Sequence, residues 1–569
     1  MKQIKRIMAA VVVAVMTMGL FVTTAWAEPK ETTIKVTPVE GHTYTAYQLF
    51  TGDLAEDGKT LSNIKWGSNA ASSIKYKTKD GSGEYTVDAT TTATAGEAVP
   101  PAVLEYLESL ASKTDTDPAQ ATANVIGEWV TGTGVEITST ETTVLTGYYV
   151  VKDEYTEPAA DQTTTLSTIV CEVVGPTTVT PKAGTTEHKK DVLDVNDSTD
   201  TIDLTNLKDI SETSWVKYAD YDFGDKVPFR LTTKIGSDFA KYNSYFLSVH
   251  DTLGSGLSLV EDSIKVYVDG TLATKGTEDG QYQVVTNGQS FEVKFTKLNG
   301  NEKAAAGKDV VVYYTATLTD NAQIGNPGNP NESYAEFSNN PNGEQEGTAD
   351  TPKDKVVVFT YKFDVDKIAK NSNETEYEAK TGAGFTLYKQ YASEQTDKGE
   401  NQAANLGKPD TEFWYAVGAE KTGATNFVFD GLDDGNYILK ETTTPDGYNT
   451  MDDLAFAITA TITADTDATH GYKITALSGP TGFAASADGG EFTFKRPKAD
   501  GTGDEDVTTK IDGTTNALVS GEIFGQIINQ KGSVLPSTGG IGTTVFYIIG
   551  SALVLGAGVL LATKKKAAN

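Results

Sequence analysis

Short runs of alternating apolar and polar residues recur along the chain, separated by glycine, proline and asparagine. Residues 263–268 alternate between two faces and end at Asp269-Gly270, a dipeptide typical of tight β-hairpins. Residues 310–318 and 437–440 also have the composition of strands, whereas helical spacing is rare and clearest at 101–110. The pattern predicts an all-β protein whose short strands are typical of β-sandwiches.

The first 27 residues have the pattern of an export signal. A basic start precedes an apolar run at 7–23, and small residues flank Trp26. This order predicts a signal peptide that is cleaved between Ala27 and Glu28. We therefore expect an exported mature chain.

The last 35 residues, 535–569, combine three features in a fixed order. The motif Leu535-Pro536-Ser537-Thr538-Gly539 is followed by an apolar stretch at 545–562 and by three lysines at 564–566. As a helix, the stretch would measure about 27 Å, enough to cross the hydrocarbon core of a membrane. The lysines would then stay on the cytoplasmic side. The arrangement resembles the sorting signal of sortase substrates, in which the Thr–Gly bond is cut, here between Thr538 and Gly539.

Charge and composition exclude several classes of function. The 569 residues carry 47 lysines and arginines against 78 aspartates and glutamates, a net charge of −31 that disfavours nucleic acid and anionic lipid as partners. Cys171 is the single cysteine, so no intramolecular disulfide can form. The four histidines are scattered without catalytic or zinc-ligand spacing. We expect neither an enzyme nor a cofactor, and metal sites in loops stay open.

Two breaks in composition divide the body of the chain. Residues 175–185 are rich in threonine, proline and glycine, and residues 339–355 are rich in asparagine, proline and charge. Both have the composition of linkers. The predicted domains are listed here by residue range: 28–183, 184–353 and 354–532, between the signal peptide at 1–27 and the sorting signal at 535–569.

Several short motifs in the body resemble those of the shaft (backbone) pilins of Gram-positive bacteria. They occur in the family's order: 43–50 for its N-terminal domain; 221–229, 250–253 and 337–341 for its fimbrial isopeptide-forming middle domain; and 363–367, 382–388 and 439–442 for a collagen-adhesin B-type domain. The resemblance implies tandem immunoglobulin-like β-sandwich domains.

The family's domains are stapled by an isopeptide bond between a lysine and an asparagine. A buried lysine tends toward its neutral, nucleophilic form, and a buried acid tends to stay protonated. In the third domain Phe363, Val365 and Lys367 share one strand face, so Lys367 should point inward. The resemblance implies a Lys367–Asn529 bond promoted by Glu441.

The middle domain leaves more choices open. Lys189 and Lys190 are adjacent, and Lys190 is favoured because it shares a face with Val192. By the same argument Ala335, Phe337 and Asn339 share a face, which favours Asn339 over Asn340. The resemblance implies that Asp251 is the promoting acid.

Shaft pilins also present a lysine that accepts the sortase-activated threonine of another subunit. The matching position is Lys182, where Pro181 would stiffen an exposed strand end. Thr180 stands where the family often has an aromatic residue, so Lys189 and Lys190 remain alternatives as the acceptor.

The function implied is the structural shaft subunit of a pilus on the Gram-positive cell wall, with a precursor held transiently in the plasma membrane. Thr538 of one subunit would be joined to Lys182 of the next in a head-to-tail filament. The implied partners are pilus and wall-anchoring sortases, identical subunits, peptidoglycan, accessory pilins and a host surface. The alternative is a monomeric wall-anchored adhesin or an accessory pilin.

Overall fold

The computed structural model describes residues 29–532 except 40, 56, 57, 59, 112–117, 156–165, 167, 182–184, 341–346, 512, 514 and 515. Strands dominate this part of the chain and pack as successive two-layered units, so the predicted all-β, tandem-sandwich fold is confirmed. We name the units by their strands: the N-terminal module (β1–β10), the middle module (β11–β23) and the C-terminal module (β24–β38).

The N-terminal module combines a four-strand path with a smaller sheet and two helices. Its elements are β1 (Glu31–Val36), β2 (His42–Leu54), β3 (Leu61–Trp66), β4 (Ser73–Lys79), β5 (Tyr85–Thr92), α1 (Pro101–Ala111), α2 (Pro118–Gly127), β6 (Val135–Ile137), β7 (Thr142–Leu145), β8 (Gly147–Tyr155), β9 (Thr168–Val173) and β10 (Thr177–Val179). The order β3-β2-β8-β9, with β6 also on β2, faces the sheet β10-β1-β7 across a core that includes Tyr44 and Val151. The predicted helix at 101–110 is α1, which begins at Pro101, a favoured first helical residue.

The middle module is a sandwich of two sheets, and in both sheets many neighbouring strands are not consecutive in the sequence. Its strands are β11 (Glu187–Leu193), β12 (Trp215–Val216), β13 (Tyr218–Asp220), β14 (Lys226–Lys234), β15 (Leu247–Leu253), β16 (Leu257–Val268), β17 (Thr271–Leu272), β18 (Gln283–Asn287), β19 (Ser290–Phe295), β20 (Asp309–Leu318), β21 (Asn329–Ser338), β22 (Thr348–Asp350) and β23 (Asp354–Phe359). One sheet runs β12-β11-β14-β20-β16-β17 and the other β13-β23-β21-β15-β19-β18, with β22 on β21. The predicted hairpin at Asp269-Gly270 is present, and both residues have positive φ.

The C-terminal module is a second sandwich with an insertion before its last strand. Its strands are β24 (Tyr361–Lys370), β25 (Tyr377–Ala379), β26 (Gly384–Tyr391), β27 (Phe413–Ala416), β28 (Lys421–Thr422), β29 (Asn426–Leu432), β30 (Gly435–Thr443), β31 (Leu454–Ala464), β32 (Tyr472–Ser478), β33 (Ala484–Ser486), β34 (Gly490–Glu491), β35 (Phe494–Pro497), β36 (Asp504–Val507), β37 (Ala517–Leu518) and β38 (Glu522–Asn529). The first and last strands, β24 and β38, are parallel neighbours in one sheet. The sheet β27-β26-β30-β31-β32 forms the opposite layer.

One strand connects the middle and C-terminal modules without a linker. β23 pairs with β13 and β21 of the middle module, and only Thr360 separates it from β24. Because side chains alternate along a strand, Val356 and Val358 pack in the middle core while Val357 and Phe359 pack in the C-terminal core. The boundary predicted at 353/354 therefore lies at the start of a strand that both cores share.

Within the described residues, no helix has the length and apolar character needed to cross a membrane. The predicted apolar span at 545–562 and the signal peptide at 1–27 lie outside those residues.

Candidate functional site

The C-terminal module brings together the three residues predicted to form its crosslink. Lys367 lies on β24 and Asn529 on β38, where the parallel register places Asn529 beside Ala369. The Lys367 Nζ contacts the Asn529 Oδ1 and lies 3.1 Å from the Oε1 of Glu441 on β30. The Asn529 Nδ2 donates to the same Glu441 Oε1 at 2.8 Å. Lysine, amide and acid thus form one closed constellation.

Burial sets the electrostatics of this constellation. The side chains of Lys367 and Glu441 are both fully buried, and the Phe385 ring lies 5.2 Å from the Lys367 Nζ. Burial lowers the pKa of Lys367, and this outweighs the opposing attraction of Glu441. The lysine is therefore shifted toward a neutral amine with a nitrogen lone pair, next to an amide that the acid can polarise.

The middle module contains a comparable pocket built from four strands. The Lys190 Nζ contacts the Asp251 Oδ2 and lies 3.0 Å from the hydroxyl of Tyr314. That hydroxyl donates to the Asp251 Oδ2 at 2.8 Å and accepts from the Asn331 Nδ2 at 2.7 Å. All four residues are buried in the core, on β11, β15, β20 and β21 respectively. Lys189, the alternative to Lys190, is exposed.

The asparagine in this pocket is Asn331, and the predicted Lys190–Asn339 pair is wrong. In the β15–β21 register Asp251 lies opposite Ser333, two residues from Asn331. Asn339 is six residues beyond Ser333, about 20 Å along an extended chain. The backbone of Asn339 instead bonds to Gly347 and Leu166. Asn340 lies one residue farther from Asp251 and is excluded for the same reason.

The acid and the amide of the middle pocket each have one oxygen without a hydrogen bond to a described residue. Burial raises the pKa of Asp251 and lowers the pKa of Lys190, and in each case this outweighs the attraction of the other group. The pair is thereby shifted toward a neutral acid and a neutral amine. The Asp251 Oδ1 and the Asn331 Oδ1 make no hydrogen bond to any described residue. A proton on Asp251 would let its carboxyl donate to the Asn331 carbonyl.

Tyr314 and Asn331 are the residues that sequence reasoning missed. Asn331 shares a strand face with Asn339, so alternation alone allowed either residue to point inward. Tyr314 sits in a strongly apolar strand and had the appearance of an ordinary core residue. Only the register between β15 and β21 could have shown that Asn331, and not Asn339, lies near Asp251.

Several other predicted residues lie outside the described part of the chain. These are Ala27 and Glu28 of the cleavage site, Lys182, and the motif Leu535-Pro536-Ser537-Thr538-Gly539. The strand before Lys182 is described: β10 pairs in parallel with β1, and its last residue Val179 is buried. Lys182 is therefore three residues beyond the end of β10, a strand that pairs with β1 of the N-terminal module.

Comparison with known families defines the class of protein. Residues 527–569 match the LPXTG cell wall anchor motif, and residues 366–472 match a prealbumin-like fold domain called SpaA. Together with the tandem sandwiches, these matches define an extracellular surface protein anchored to the cell wall. The predicted localisation is confirmed.

The chain is also similar to individual surface proteins and pilins of Gram-positive bacteria. The chain is 25% identical over 387 residues to the trypsin-resistant surface T6 protein of Streptococcus pyogenes serotype M6, an alignment that spans 60% of this chain and 65% of that relative. The solved T6 backbone pilin is 16% identical with a TM-score of 0.48, covering 90% of this chain and 100% of that one. The full-length major pilin SpaD from Corynebacterium diphtheriae is 17% identical with a TM-score of 0.42, covering 90% and 99%. The predicted resemblance to Gram-positive backbone pilins is confirmed.

Proposed function

We propose that the protein is the structural shaft subunit of a covalent, sortase-assembled pilus. The cell wall anchor motif supports its role as a sortase substrate, and its relatives support polymerisation from identical subunits. In this proposal the Thr538–Gly539 bond is cut, and the Thr538 carbonyl is transferred to the Lys182 amine of the next subunit. Such a head-to-tail contact does not close on itself, so it produces a filament.

The observation that carries the proposal is the pair of buried lysine–acid–asparagine constellations in successive modules. Cys171 is the single cysteine of the sequence, so the chain cannot form an intramolecular disulfide. A fibre under tension would then be reinforced by another kind of covalent bond. The two pockets hold the groups for two isopeptide bonds: Lys367–Asn529 with Glu441, and Lys190–Asn331 with Asp251.

The reaction needs only groups that each pocket contains. The neutral lysine amine attacks the asparagine Cγ while the acid, in its protonated form, donates to the amide oxygen. In the C-terminal pocket this requires the Asn529 amide to turn so that its oxygen, rather than its nitrogen, faces Glu441. The Nζ–Cγ bond forms, the Cγ–Nδ2 bond breaks, and the Nδ2 leaves as ammonia with a proton taken from the amine. The acid recovers its own proton. Folding supplies the proximity that otherwise an enzyme would supply, so each pocket reacts once.

The positions of the bonds fit a mechanical role. In the C-terminal module the bond would join the first strand, β24, to the last, β38. In the middle module it would join β11 of one sheet to β21 of the other. Treated as crosslinks that close loops of well over 100 residues, each would add about 5 kcal/mol to the free energy of unfolding. Tension along the fibre would pass through the bonds and bypass much of each sandwich.

The proposed partners follow from this role. They are the pilus and wall-anchoring sortases, further copies of this chain, peptidoglycan and accessory pilins, with a host surface at the outer end. The protein itself would be no enzyme in the ordinary sense, because each promoting acid acts on its own chain and only once.

Substitution of Lys182 in the producing cell tests the polymerisation. We expect Lys182→Ala to abolish the high-molecular-weight ladder on denaturing gels while the monomer stays anchored, because the wall-anchoring reaction does not use this lysine. Lys189→Ala removes the exposed lysine that is the alternative acceptor, and this variant should keep the ladder. A ladder that persists in Lys182→Ala would refute the acceptor assignment. The absence of a ladder from the unmodified strain would instead favour the monomeric adhesin.

A further inference from the structure

The junction between the middle and C-terminal modules is polar and rich in buried acids. Seven aspartates meet there: Asp194, Asp197, Asp220, Asp222, Asp225, Asp433 and Asp434. The first five belong to the middle module and the last two to the turn between β29 and β30. Burying this many carboxylates requires cations or protons nearby, because an uncompensated buried charge is strongly destabilising.

Two lysines of the C-terminal module neutralise one side of the cluster. The buried Lys389 Nζ lies 2.6 Å from Asp222, 3.1 Å from Asp433 and 3.2 Å from Asp197. Lys398 lies 3.1 Å from Asp225. The group formed by Asp197, Asp222 and Asp225 therefore already has its cations.

The other side of the cluster has no lysine of its own, and burial together with the neighbouring Asp434 and Asp194 raises the pKa of Asp220 to about 8. Asp220, Asp433 and Asp434 each offer a carboxylate oxygen, and these three atoms lie within 4.8 Å of one another. Asp220 is 6% exposed and Asp433 is fully buried. Asp433 shares Lys389 with its neighbours, but no salt bridge to Asp220 or Asp434 occurs within the described residues. The Asn196 amide donates to Asp434 at 2.8 Å and orients it.

An unsatisfied hydroxyl points to a ligand at this position. Tyr361, the first residue of β24, is fully buried, and its hydroxyl makes no well-formed hydrogen bond to a described residue. This hydroxyl faces Asp220 in a loose contact, and burial together with the charge of Asp220 and that contact raises the pKa of Tyr361. A buried polar atom without a partner commonly marks an ion or water that the protein binds.

We propose that Asp220, Asp433 and Asp434 bind a divalent cation of the calcium type, with the Tyr361 hydroxyl contacting the ion or a water bound to it. Calcium prefers carboxylate and other oxygen ligands at about 2.3–2.6 Å, so ligands on opposite sides of the ion are about 5 Å apart. The 4.8 Å limit on the spacing of the three oxygens fits that geometry. The ion would tie Asp220 of the middle module to Asp433 and Asp434 of the C-terminal module and stiffen the junction.

Calcium titration of the purified full chain, first stripped with EGTA, tests this site. Isothermal titration calorimetry should show binding with a Kd of about 10⁻⁴–10⁻³ M, the range of extracellular modules. We expect Asp434→Asn to weaken this binding at least tenfold and Tyr361→Phe to weaken it severalfold. Asp434 is only half-buried, so its isosteric replacement should leave the fold intact. The matched control is Asp262→Asn, at an exposed acid on β16, which should bind as the unmodified chain does.

A second readout separates binding at the junction from binding elsewhere. Saturating calcium should raise the Tm of the unmodified chain and of Asp262→Asn by about 2–4 °C and leave Asp434→Asn and Asp220→Asn unchanged. Failure of the unmodified chain to bind calcium would overturn the proposal. Equal binding by Asp434→Asn and the unmodified chain would overturn it as well.

Discussion

The two lysine–acid–asparagine pockets contain the same chemical groups in different arrangements. In the C-terminal module Glu441 contacts the amide directly, with the Asn529 Nδ2 at 2.8 Å, and the lysine lies against the amide oxygen. In the middle module the shorter Asp251 contacts the lysine, and the Tyr314 hydroxyl lies between the acid and the amide of Asn331. The difference indicates that burial and proximity are shared requirements, whereas the route from acid to amide depends on the side chains that each sandwich provides.

Removal of either lysine should have the largest effect. Lys190→Ala and Lys367→Ala each delete one crosslink, and we expect each to lower the free energy of unfolding by about 5 kcal/mol. The two losses should be similar because the loops are of similar length. Denaturant titration of the full chain measures both, with Lys189→Ala as the exposed control. A loss confined to one lysine would show that only one pocket reacts.

Neutral isosteres of the acids should prevent bond formation without emptying the pockets. In Glu441→Gln and Asp251→Asn the amide replacing the acid cannot supply the proton that polarises the asparagine carbonyl. We expect each variant to keep one more ammonia than the unmodified chain in its intact mass. The control is Asp262→Asn, which replaces an exposed acid on β16 and should lose as much ammonia as the unmodified chain. Normal ammonia loss in both acid variants would show that the acids are structural.

Loss of the Tyr314 hydroxyl should affect only the middle pocket. Tyr314→Phe removes the group that holds both Asp251 and Asn331, so the amide is less well positioned for attack. We expect bond formation after the first folding of the newly made chain to slow by about 10–100-fold in the middle module. The C-terminal bond should form at its normal rate, which gives an internal control in the same mass spectrum. A middle-module rate equal to that of the unmodified chain would contradict a positioning role for Tyr314.

A smaller, pH-dependent effect should appear when the C-terminal bond is blocked by Asn529→Ala. This variant keeps Lys367 buried, and burial lowers its pKa in the folded state. The folded chain then binds fewer protons than the unfolded chain at pH values between the lowered pKa and the ordinary lysine pKa of about 10.4. The free energy of unfolding should therefore rise with pH through that window. The double variant Asn529→Ala/Lys367→Met should lack this rise, and a rise of equal size in both would exclude Lys367 as its cause.

The C-terminal pocket was predictable because strand alternation and the resemblance to pilins pointed to the same residues, with Glu441 and Asn529 implied by the resemblance. Alternation placed Lys367 inward with Phe363 and Val365, and Asn529 ends the last strand of the module, beside the first. The fold class and the helix at 101–110 followed from periodicity in the same way. The inward direction of Lys367, the fold class and the helix depend on neighbouring residues in the sequence, whereas the partner Asn529 is 162 residues away.

The middle pocket and the module junction depend on longer-range geometry. Alternation gave the inward face of β21 but not the position along it, and the β15–β21 register places Asn331 rather than Asn339 near Asp251. The composition of 339–355 resembles a linker, yet Asp354 begins β23. The cluster of buried aspartates around Lys389 arises only where two modules meet, and no local pattern specifies that contact.

The most direct test of the account is the intact mass of the folded chain together with that of its Asn331→Ala and Asn339→Ala variants. The account predicts that the unmodified chain and Asn339→Ala are each lighter than their sequence masses by two molecules of ammonia. Asn331→Ala should be lighter by only one, because the C-terminal bond still forms. An unmodified chain at its full sequence mass would contradict the account, and so would a missing crosslink in Asn339→Ala with both crosslinks kept in Asn331→Ala.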